Sequence, residues 1–586
     1  MESEQRRHIW VGYAKLADFL AGVIAAAVLA RTHGPFSLLL IPLIIFVVLV
    51  VAHDRVLRRR AKFVRVTDFY ARGLARIEDA WAGTGETGER FFDAAHPYAR
   101  DLDLFGKGSL FELLSTARTR AGEETLARWL LAAADPKEVR ARQAAVGEMR
   151  DRVTLRERLF AAGEDVRAGV HPEALAAWGD GTPALQSRVL PWVLALLAVL
   201  WVASIVAWAV TRNWDWALLV SLLNYAVSYR LQGRVVESAD GVEKAARDLK
   251  VLAEVLEIME GEKFGSERML GLRSSLSATL QGRQVAASAA VKKLERVYDW
   301  LEDRRNGFVA IFNPFVFYTA QLTMAAERWR AKFGPAIRSW LVAVGDFEAL
   351  AALAGYAYEH PADVMPELTE KRGPDGAAAL LEAEGLAHPL LPAGKAVAND
   401  LRLGPAPQLI VVSGPNMAGK STFLRGVGLN AVLAQCGAPV RAKRLRMSPL
   451  TVGASICVLD SLAGGVSRFY AEIQRLKVLS DLAGGEAPLL FLLDELLSGT
   501  NSHDRLEGTR FVVRDLVRRG AIGMVTTHDL ALTAIPETMD GAATNCHFAD
   551  AVEDGKLTFD YRLRPGIVET SNALKLMAAV GLRITE

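Results

Sequence analysis

The stretch that most constrains the fold of this chain is the pattern G-x-x-x-x-G-K-[ST], which begins at Gly414. An apolar run at residues 408–412 precedes it, and a helix-like segment opens with Lys420. A strand, a glycine-rich turn and a helix in this order typify a phosphate-binding loop, because backbone N–H groups and the positive end of the helix face the phosphates. We therefore expect an α/β domain that binds ATP through nine consecutive residues: Gly414, Pro415, Asn416, Met417, Ala418, Gly419, Lys420, Ser421 and Thr422.

Several residues near this loop have the chemistry that ATP hydrolysis requires. Lys420 is expected to reach the β- and γ-phosphates, and the Ser421 hydroxyl to bind Mg²⁺. A second apolar run, at residues 488–493, ends in Asp494 and Glu495, 74 residues after Lys420. In this class of ATPase the first acid holds Mg²⁺ through water and the second polarises the attacking water as general base. We therefore predict Ser421 and Asp494 as the metal-binding residues, and Glu495 and Lys420 as catalytic residues.

Two further stretches fit the same chemistry. The apolar run at residues 521–527 ends in His528, whose neutral imidazole can sense the γ-phosphate or the attacking water. Gly464 and Gly465 come before Ser467 and a helical pattern, which makes a second helix start suited to an anion. Because one site does not need two such helix starts, we predict that Ser467 caps the ATP of a second copy in a homodimer. The alternative for this turn is an ordinary loop.

The charge balance does not indicate nucleic-acid binding by itself. Lys and Arg number 69 and Asp and Glu number 67, so the formal net charge is +2 and any DNA contact must rely on a local patch. The main basic cluster of the ATPase region is at residues 441–446, and its alternative interpretation is a solvated surface turn. The three cysteines are far apart without metal-ligand spacing, which favours a reducing compartment without disulfides.

Four apolar runs account for the high hydrophobic content of 51%. They form two pairs, at residues 16–30 with 36–52 and at residues 189–210 with 214–229. Six Lys or Arg residues follow the first pair at residues 53–65, which places both ends of that hairpin in the cytoplasm. We therefore expect a multi-pass protein of the cytoplasmic (inner) membrane, held in the lipid bilayer by two helical hairpins. The alternative is four buried helices in a large soluble core.

The rest of the chain before the ATPase region is helical by its i, i+3, i+4 pattern of leucines. The fold class we expect is multidomain: a C-terminal α/β ABC-type P-loop ATPase, preceded by an all-α core and lever region with two transmembrane helical hairpins. The expected domains are a membrane hairpin at 1–60, a first part of the helical core at 61–186, a second membrane hairpin at 187–232, a second helical part at 233–365, and the ATPase domain at 366–586.

These motifs together resemble the MutS family of DNA mismatch-repair ATPases, members of the ABC ATPase superfamily. The loop at residues 414–422 matches that family closely, and the similarity extends to residues 385–390, Ser467, Thr527-His528 and residues 563–582. Stretches near residues 109–130 and 340–361 are similar to the two ends of the family's helical core domain. The resemblance implies an ATP-gated homodimer whose helical levers can clamp DNA.

The sequence departs from the family in two respects. Family members that read mismatches carry an N-terminal domain with a Phe-x-Glu wedge, whereas an apolar hairpin stands here and no Phe is followed two residues later by Glu. The second hairpin, residues 189–229, interrupts the helical core. The resemblance therefore does not imply mismatch recognition by that wedge.

Three functions are compatible with these patterns. We favour a membrane-anchored, MutS-like ATPase that hydrolyses ATP at a dimer interface and gates DNA binding. One alternative is half of an ABC-type membrane transporter, but the 74 residues between Lys420 and Asp494 leave little room for the helical subdomain of transporter ATPases. The other is a nucleotide-switched membrane scaffold, against which the intact Glu495 and His528 argue.

Overall fold

The fold is taken from a computed structural model that describes residues 2–32, 36–162, 171–182, 185, 187, 189–280, 283–305, 307–370, 379–415, 417–456, 468–498, 500–553 and 556–568. The chain divides into two compact units. One comprises Met1–Ala75 with Thr154–Ala162, and the other comprises Arg76–Val153 with Gly163–Glu586.

Helices dominate the described residues before residue 360. In chain order the α-helices are α1 Glu2–Thr32, α2 Leu40–Ile77, α3 Leu110–Leu114, α4 Arg120–Leu131, α5 Pro136–Arg150, α6 Val153–Ala161, α7 Pro172–Asp180, α8 Leu190–Thr211, α9 Asp215–Gly261, α10 Glu267–Ser275, α11 Ala287–Glu302, α12 Gly307–Val316, α13 Tyr318–Glu359, α14 Lys420–Cys436, α15 Arg468–Leu482 and α16 Ser502–Arg518.

Strands are concentrated after residue 360. They are β1 Ser277–Leu280, β2 Arg283–Ala286, β3 Glu367–Leu368, β4 Leu381–Leu386, β5 Asn399–Leu403, β6 Leu409–Ser413, β7 Arg444–Met447, β8 Thr451–Ser455, β9 Leu489–Asp494, β10 Ile522–Thr527, β11 Ala543–Glu553 and β12 Lys556–Pro565. The chain is thus multidomain and mostly helical, with α/β sheets in its C-terminal region, which confirms the expected fold class at this level.

The smaller unit is a long helical hairpin with one short helix against it. The rings of Phe19 on α1 and Phe46 on α2 lie 6.4 Å apart. Further along α2, the Arg65 Nε donates to the Ala161 carbonyl at 2.9 Å, and the Tyr70 hydroxyl donates to a Glu157 carboxylate oxygen at 2.7 Å. Most large apolar side chains of α1 and of the first half of α2 are exposed within this unit.

In the larger unit, α13 is the central helix of the helical region. It packs against α4, α5, α7 and α9, and its second half is buried around Trp340, Phe347 and Tyr356. At its C-terminal end, Glu359 accepts two hydrogen bonds from Arg76, at 2.5 and 2.7 Å. Because both side chains are mostly buried, this bidentate pair fixes the last turn of α13 to Arg76, in the last turn of α2.

Four helices within the described ranges are long and apolar enough to cross a membrane: Trp10–Leu29, α2, α8 and α13. Their burial separates them. The apolar part of α13 is 94% buried, so it is a core helix, whereas that of α8 is 11% buried and those of the first two contain no buried residue. The predicted span at residues 214–229 forms the first part of the 47-residue α9, which is not among the four. Membrane insertion of the two hairpins stays a prediction.

The C-terminal region is built on a six-stranded sheet with the order β12-β11-β6-β10-β9-β8. The strands from β11 to β8 are parallel to their neighbours, and β12 is antiparallel at the edge. All residues of β6 and β10 are buried, as expected for central strands of a parallel sheet covered on both faces. A smaller sheet, in the order β3-β7-β4-β5, precedes and interleaves with it in sequence. This order brings the carboxyl ends of β6, β10 and β9 together.

Candidate functional site

The loop between β6 and α14 has the backbone that a phosphate-binding loop requires. Gly414 has φ +148°, and a Cβ at this position would lie 2.7 Å from the Phe548 carbonyl oxygen, so only glycine fits. Gly419 has φ +94° and is the residue from which α14 starts. Of the nine predicted loop residues, Asn416 lies outside the described residues. The other eight lie between the end of β6 and the first turn of α14, and Lys420, Ser421 and Thr422 belong to that turn.

Lys420 is buried beside this loop. Its Nζ donates to the carbonyl oxygens of Gly414 at 2.8 Å and Pro415 at 3.0 Å. Burial lowers the pKa of Lys420, and the charges of Glu495 and Asp494 act in the opposite direction. The Lys420 amino group is therefore held against the loop, under the influence of the carboxylates of Asp494 and Glu495.

The two carboxylates are positioned by the neighbouring strand β10. Asp494 ends β9 opposite Thr526, whose hydroxyl donates to the Asp494 carboxylate and accepts from the Glu495 N–H at 3.2 Å. Glu495 has φ +45°, in the left-handed region that non-glycine residues rarely adopt. This turn aims the Glu495 carboxylate toward His528, whose Nδ1 lies 3.2 Å from its Oε1.

A cavity of about 980 Å³ opens over the loop. Its walls include most of the predicted site residues. His528 is not among the wall residues, but it contacts Glu495, which is. The predicted residues among its walls are Met417, Gly419, Lys420, Ser421, Thr422, Asp494 and Glu495.

Other walls of the cavity come from residues to which the sequence patterns assigned no chemistry. Phe559 and Tyr561 on β12 line it, with ring centroids 6.1 Å apart. Asn399 on β5 donates to the Tyr561 carbonyl at 3.0 Å and accepts from the Leu563 N–H at 2.7 Å, which ties the two sheets together. The alternation of aromatic residues along an edge strand was the available signal for this wall.

His388 is a further wall residue. Its Nδ1 accepts a hydrogen bond from the Leu390 N–H at 3.2 Å. Burial, together with the positive charges of Arg425 and Arg441, lowers the pKa of His388 to about 4. The imidazole is therefore neutral at physiological pH and presents its other nitrogen as a donor.

Ser467, the residue predicted to act on a second copy, lies outside the described residues, as do all of residues 457–467. Both flanks of that segment are attached to Asp101. Its carboxylate accepts from the Ile456 N–H at 2.7 Å and pairs with Arg475 of α15 at 2.6 Å. Its carbonyl accepts from Arg425 of α14 at 3.0 Å. Asp101 thus links the phosphate-loop helix to both ends of the segment that carries Ser467, which sequence patterns did not indicate.

Two arginines of the basic cluster at residues 441–446 lie close to glutamate side chains. Arg444 and Arg446 lie 3.4 to 4.0 Å from carboxylate oxygens of Glu367, Glu382 and Glu384 on the strands beside them. Arg441 donates to the Leu391 carbonyl at 2.6 Å. These contacts favour the interpretation of the cluster as an ordinary charged surface over a DNA-binding patch.

Comparison with known proteins identifies the C-terminal region. Residues 410–584 match the family model of MutS domain V. The chain is 40% identical over 182 residues to the DNA mismatch repair protein MutS 2 of Haloarcula marismortui, a match that covers 30% of this chain and 18% of that protein. It is 28% identical over 354 residues to the DNA mismatch repair protein MutS of Brevibacillus brevis, covering 57% of this chain and 40% of that protein.

A third relative, the DNA mismatch repair protein MutS 2 of Halobacterium salinarum, is 33% identical over 281 residues, or 46% of this chain and 30% of that protein. The chain thus spans less than half the length of the curated relatives it matches. The matched domain contains β6, the glycine-rich loop, α14 and the strands that carry Asp494 and His528. The C-terminal region of this chain therefore carries domain V of the MutS family.

Proposed function

We propose that this chain is a membrane-anchored, MutS-like ATPase that hydrolyses ATP at a dimer interface and uses the nucleotide state to gate DNA binding. The observation that carries the enzymatic part is the meeting of Lys420, Ser421, Asp494 and Glu495 in one cavity, at the carboxyl ends of parallel strands. Ligands of open α/β sheets bind at this edge. The relatives are named as DNA mismatch repair proteins, which supports a role on DNA.

In this proposal each residue of the cavity has a distinct role in ATP hydrolysis. The loop N–H groups and Lys420 would hold the phosphates, and Ser421 and Asp494 would hold Mg²⁺, which would neutralise charge that develops on the phosphates. Within the described residues no group of three His, Cys, Asp or Glu side chains could hold a metal alone, which fits an ion that shares its coordination with phosphate and water. Glu495 accepts the proton of the attacking water, and His528 orients the Glu495 carboxylate.

The dimer part of the proposal concerns Ser467. Among the described residues, one copy supplies the loop, the acids and the histidine, and the glycine-rich sequence before Ser467 supports a second anion-binding position. In the proposed homodimer each copy supplies Ser467 to the ATP of the other, so that closure of both sites moves the helical region.

The location we propose is the cytoplasmic membrane, with the ATPase domain in the cytoplasm. Support comes from α8, a 22-residue helix without a charged residue that is only 11% buried, and from the exposed apolar surface of α1 and α2. Such surfaces on a water-soluble protein would be a strong aggregation hazard, whereas lipid covers them.

The proposed base is tested with Glu495→Gln in the detergent-solubilised full chain. Loss of the carboxylate should lower the ATP hydrolysis rate at least about 100-fold, leave nucleotide binding intact and allow an ATP-bound dimer to accumulate. The matched control is Glu507→Gln, which alters a mostly exposed glutamate on α16. Hydrolysis by Glu495→Gln at the wild-type rate would show that the base is misassigned.

The DNA role is tested separately, by binding to homoduplex, mismatched and branched DNA across a salt series, with and without ATP. Binding that weakens with salt and changes with nucleotide supports the proposal. ATP hydrolysis without DNA binding under any of these conditions would leave the ATPase but remove DNA as its partner.

A further inference from the structure

We infer that α12 is a third membrane-embedded element, a short re-entrant helix whose exposed face contacts lipid acyl chains beside the α8–α9 hairpin. This inference rests on the proposed membrane insertion of that hairpin. It concerns a segment that the sequence patterns treated as ordinary packing helix.

The sequence around α12 is free of charge over a long stretch. No Asp, Glu, Lys, Arg or His occurs between Arg305 and Glu327. The helix itself has ten residues, so it is about 15 Å long, which is half the thickness of the hydrocarbon core of a bilayer. Such a segment can enter a membrane and return, but it cannot cross.

The contacts of α12 place it at the middle of α8. The rings of Phe315 and Trp201 are stacked, with centroids 5.2 Å apart and planes 9° apart, and Phe312 lies 6.4 Å from the same indole. Trp201 is near the centre of the 22-residue helix, about 16 Å along the axis from Leu190. If α8 crosses a bilayer, Phe312 and Phe315 therefore lie close to the depth of its midplane.

The backbone at the break between α12 and α13 is satisfied within the protein. Asn224 of α9 is fully buried and its Nδ2 donates to the Phe315 carbonyl at 2.8 Å and to the Leu197 carbonyl at 3.1 Å. Asn313 accepts from the Thr319 N–H at 2.9 Å, and Phe317 bridges the two helices with φ +55°. Irregular backbone is tolerated at membrane depth only when its polar groups are paired in this way.

The outer face of α12 is apolar and uncovered. Ile311 is 64% and Phe312 is 49% exposed, on the helix that contacts α8. On α11, before this segment, Trp300 is exposed, and its carbonyl accepts a hydrogen bond from the Tyr318 hydroxyl at 2.9 Å. Just before α12, Arg304 pairs with Asp240 and Glu243 of α9. The exposed Trp300 and the charged cluster around Arg304 come just before the apolar helix, an order that is typical of a membrane–water interface.

The test attaches an environment-sensitive fluorophore to one introduced cysteine in the full chain, reconstituted in vesicles that contain lipids with a quencher on the acyl chain. The positions are Ile311→Cys on α12, Val199→Cys at the middle of α8, and Lys293→Cys on the exposed face of α11 as an aqueous control. The parent chain, treated with the same fluorophore, gives the background signal of the native cysteines, and this signal is subtracted. Phe312→Cys is a second probe of α12, should Ile311→Cys fold poorly.

We expect quenching at Ile311→Cys within about twofold of that at Val199→Cys, and little at Lys293→Cys. Quenching at Val199→Cys with none at Ile311→Cys and Phe312→Cys would overturn the inference and leave the membrane anchor in place. Absence of quenching at Val199→Cys as well would overturn the proposed membrane insertion of the hairpin itself.

Discussion

Glu495 combines an unusual backbone with a defined side-chain contact. Its φ of +45° is costly for a residue with a Cβ, and Leu497, two residues later, has φ +55°. The N–H of Leu497 donates to a carboxylate oxygen of the buried Glu472 at 2.6 Å, which helps to hold this turn. Backbone strain that the surrounding structure enforces is found most often at functional sites. The turn keeps the Glu495 carboxylate at the cavity and against His528.

The contact between His528 and Glu495 leads to a first prediction. His528→Ala removes the group 3.2 Å from Glu495 Oε1, so the carboxylate loses its orientation but not its charge. We expect the ATP hydrolysis rate to fall about 10- to 100-fold, with nucleotide affinity changed little. Steady-state hydrolysis and equilibrium binding of a fluorescent ATP analogue measure the two effects. His503→Ala, on α16, is the control, and equal losses in both variants would contradict the role of His528.

The low pKa of His388 gives a pH-dependent prediction. A histidine that titrates near pH 4 when folded and near 6.5 when unfolded binds fewer protons in the folded state between these values. Its contribution to stability is therefore present above pH 6.5 and is lost as the pH falls toward 4.

We expect His388→Asn to make the ATPase domain less sensitive to acid, by on the order of 1–2 kcal/mol between pH 7 and 5. The amide oxygen of Asn can still accept the Leu390 N–H, but the side chain does not titrate. Thermal unfolding of the detergent-solubilised chain at both pH values measures the difference. His503→Asn, at an exposed position on α16, is the control. An equal change of acid sensitivity in both variants would show that burial of His388 is not the cause.

The residue-level site was partly predictable because its motifs are local in sequence. The loop and the Asp494-Glu495 pair each follow a buried strand, and parallel strands end at one sheet edge. The cavity wall at Phe559 and Tyr561 could not be predicted, because it depends on β12 being the edge strand next to β11. Asp101 was missed for the same reason: it is more than 300 residues before the atoms it binds. The catalytic roles themselves stay predictions.

At the scale of elements, Asp101 connects α14, the end of β8 and α15. Asp101→Asn keeps an oxygen that can accept from the Ile456 N–H but removes the charge that pairs with Arg475 at 2.6 Å. We expect ATP binding by one copy to be retained and hydrolysis to fall about tenfold, because the charged contact between Asp101 and α15, the helix that follows Ser467, is weakened.

The control for this change is Asp103→Asn, since Asp103 lies two residues away and only approaches Arg425, at 3.7 Å. ATP binding and hydrolysis are measured on both variants at equal protein concentration. A loss of hydrolysis that is the same for Asp103→Asn, or a loss of ATP binding in Asp101→Asn, would contradict a role in positioning the segment.

The helices illustrate where sequence patterns are sufficient and where they are not. Amphipathic spacing predicted helices over most of residues 233–365, and α9, α11 and α13 are found there. Composition could not separate α8 from α13, since both are long and apolar enough to cross a membrane. What separates them is tertiary: α4, α5, α7 and α9 cover α13, whereas α8 contacts mainly α9 and α12.

At the scale of the whole molecule, the proposed dimer predicts complementation between two inactive variants. Lys420→Ala should abolish ATP binding, and Ser467→Ala should impair hydrolysis only at the site of the other copy. In a mixed dimer, the intact Lys420 of one copy meets the intact Ser467 of the other, so one site of the two is complete. An equal mixture should therefore recover about a quarter of the wild-type hydrolysis rate.

The measurement is ATP hydrolysis by the two variants purified together, compared with each alone. Co-purification of both chains through different affinity tags shows that mixed dimers have formed. If mixed dimers form and no activity returns, Ser467 does not act on the second copy.

Because α13 is long and is held by side-chain contacts at its C-terminal end, a small tilt at that end displaces its other end by several ångströms. Its 42 residues make a rod about 60 Å long. At the C-terminal end of α13, Arg76 pairs with Glu359, and the Tyr356 hydroxyl donates to Asp363, just before β3. The other end of α13 begins next to α12. A tilt of about 5° at the clamped end displaces the opposite end by about 5 Å, comparable to the pitch of an α-helix. A small rearrangement at the C-terminal end of α13 would therefore produce a larger displacement next to α12, the helix for which we propose lipid contact.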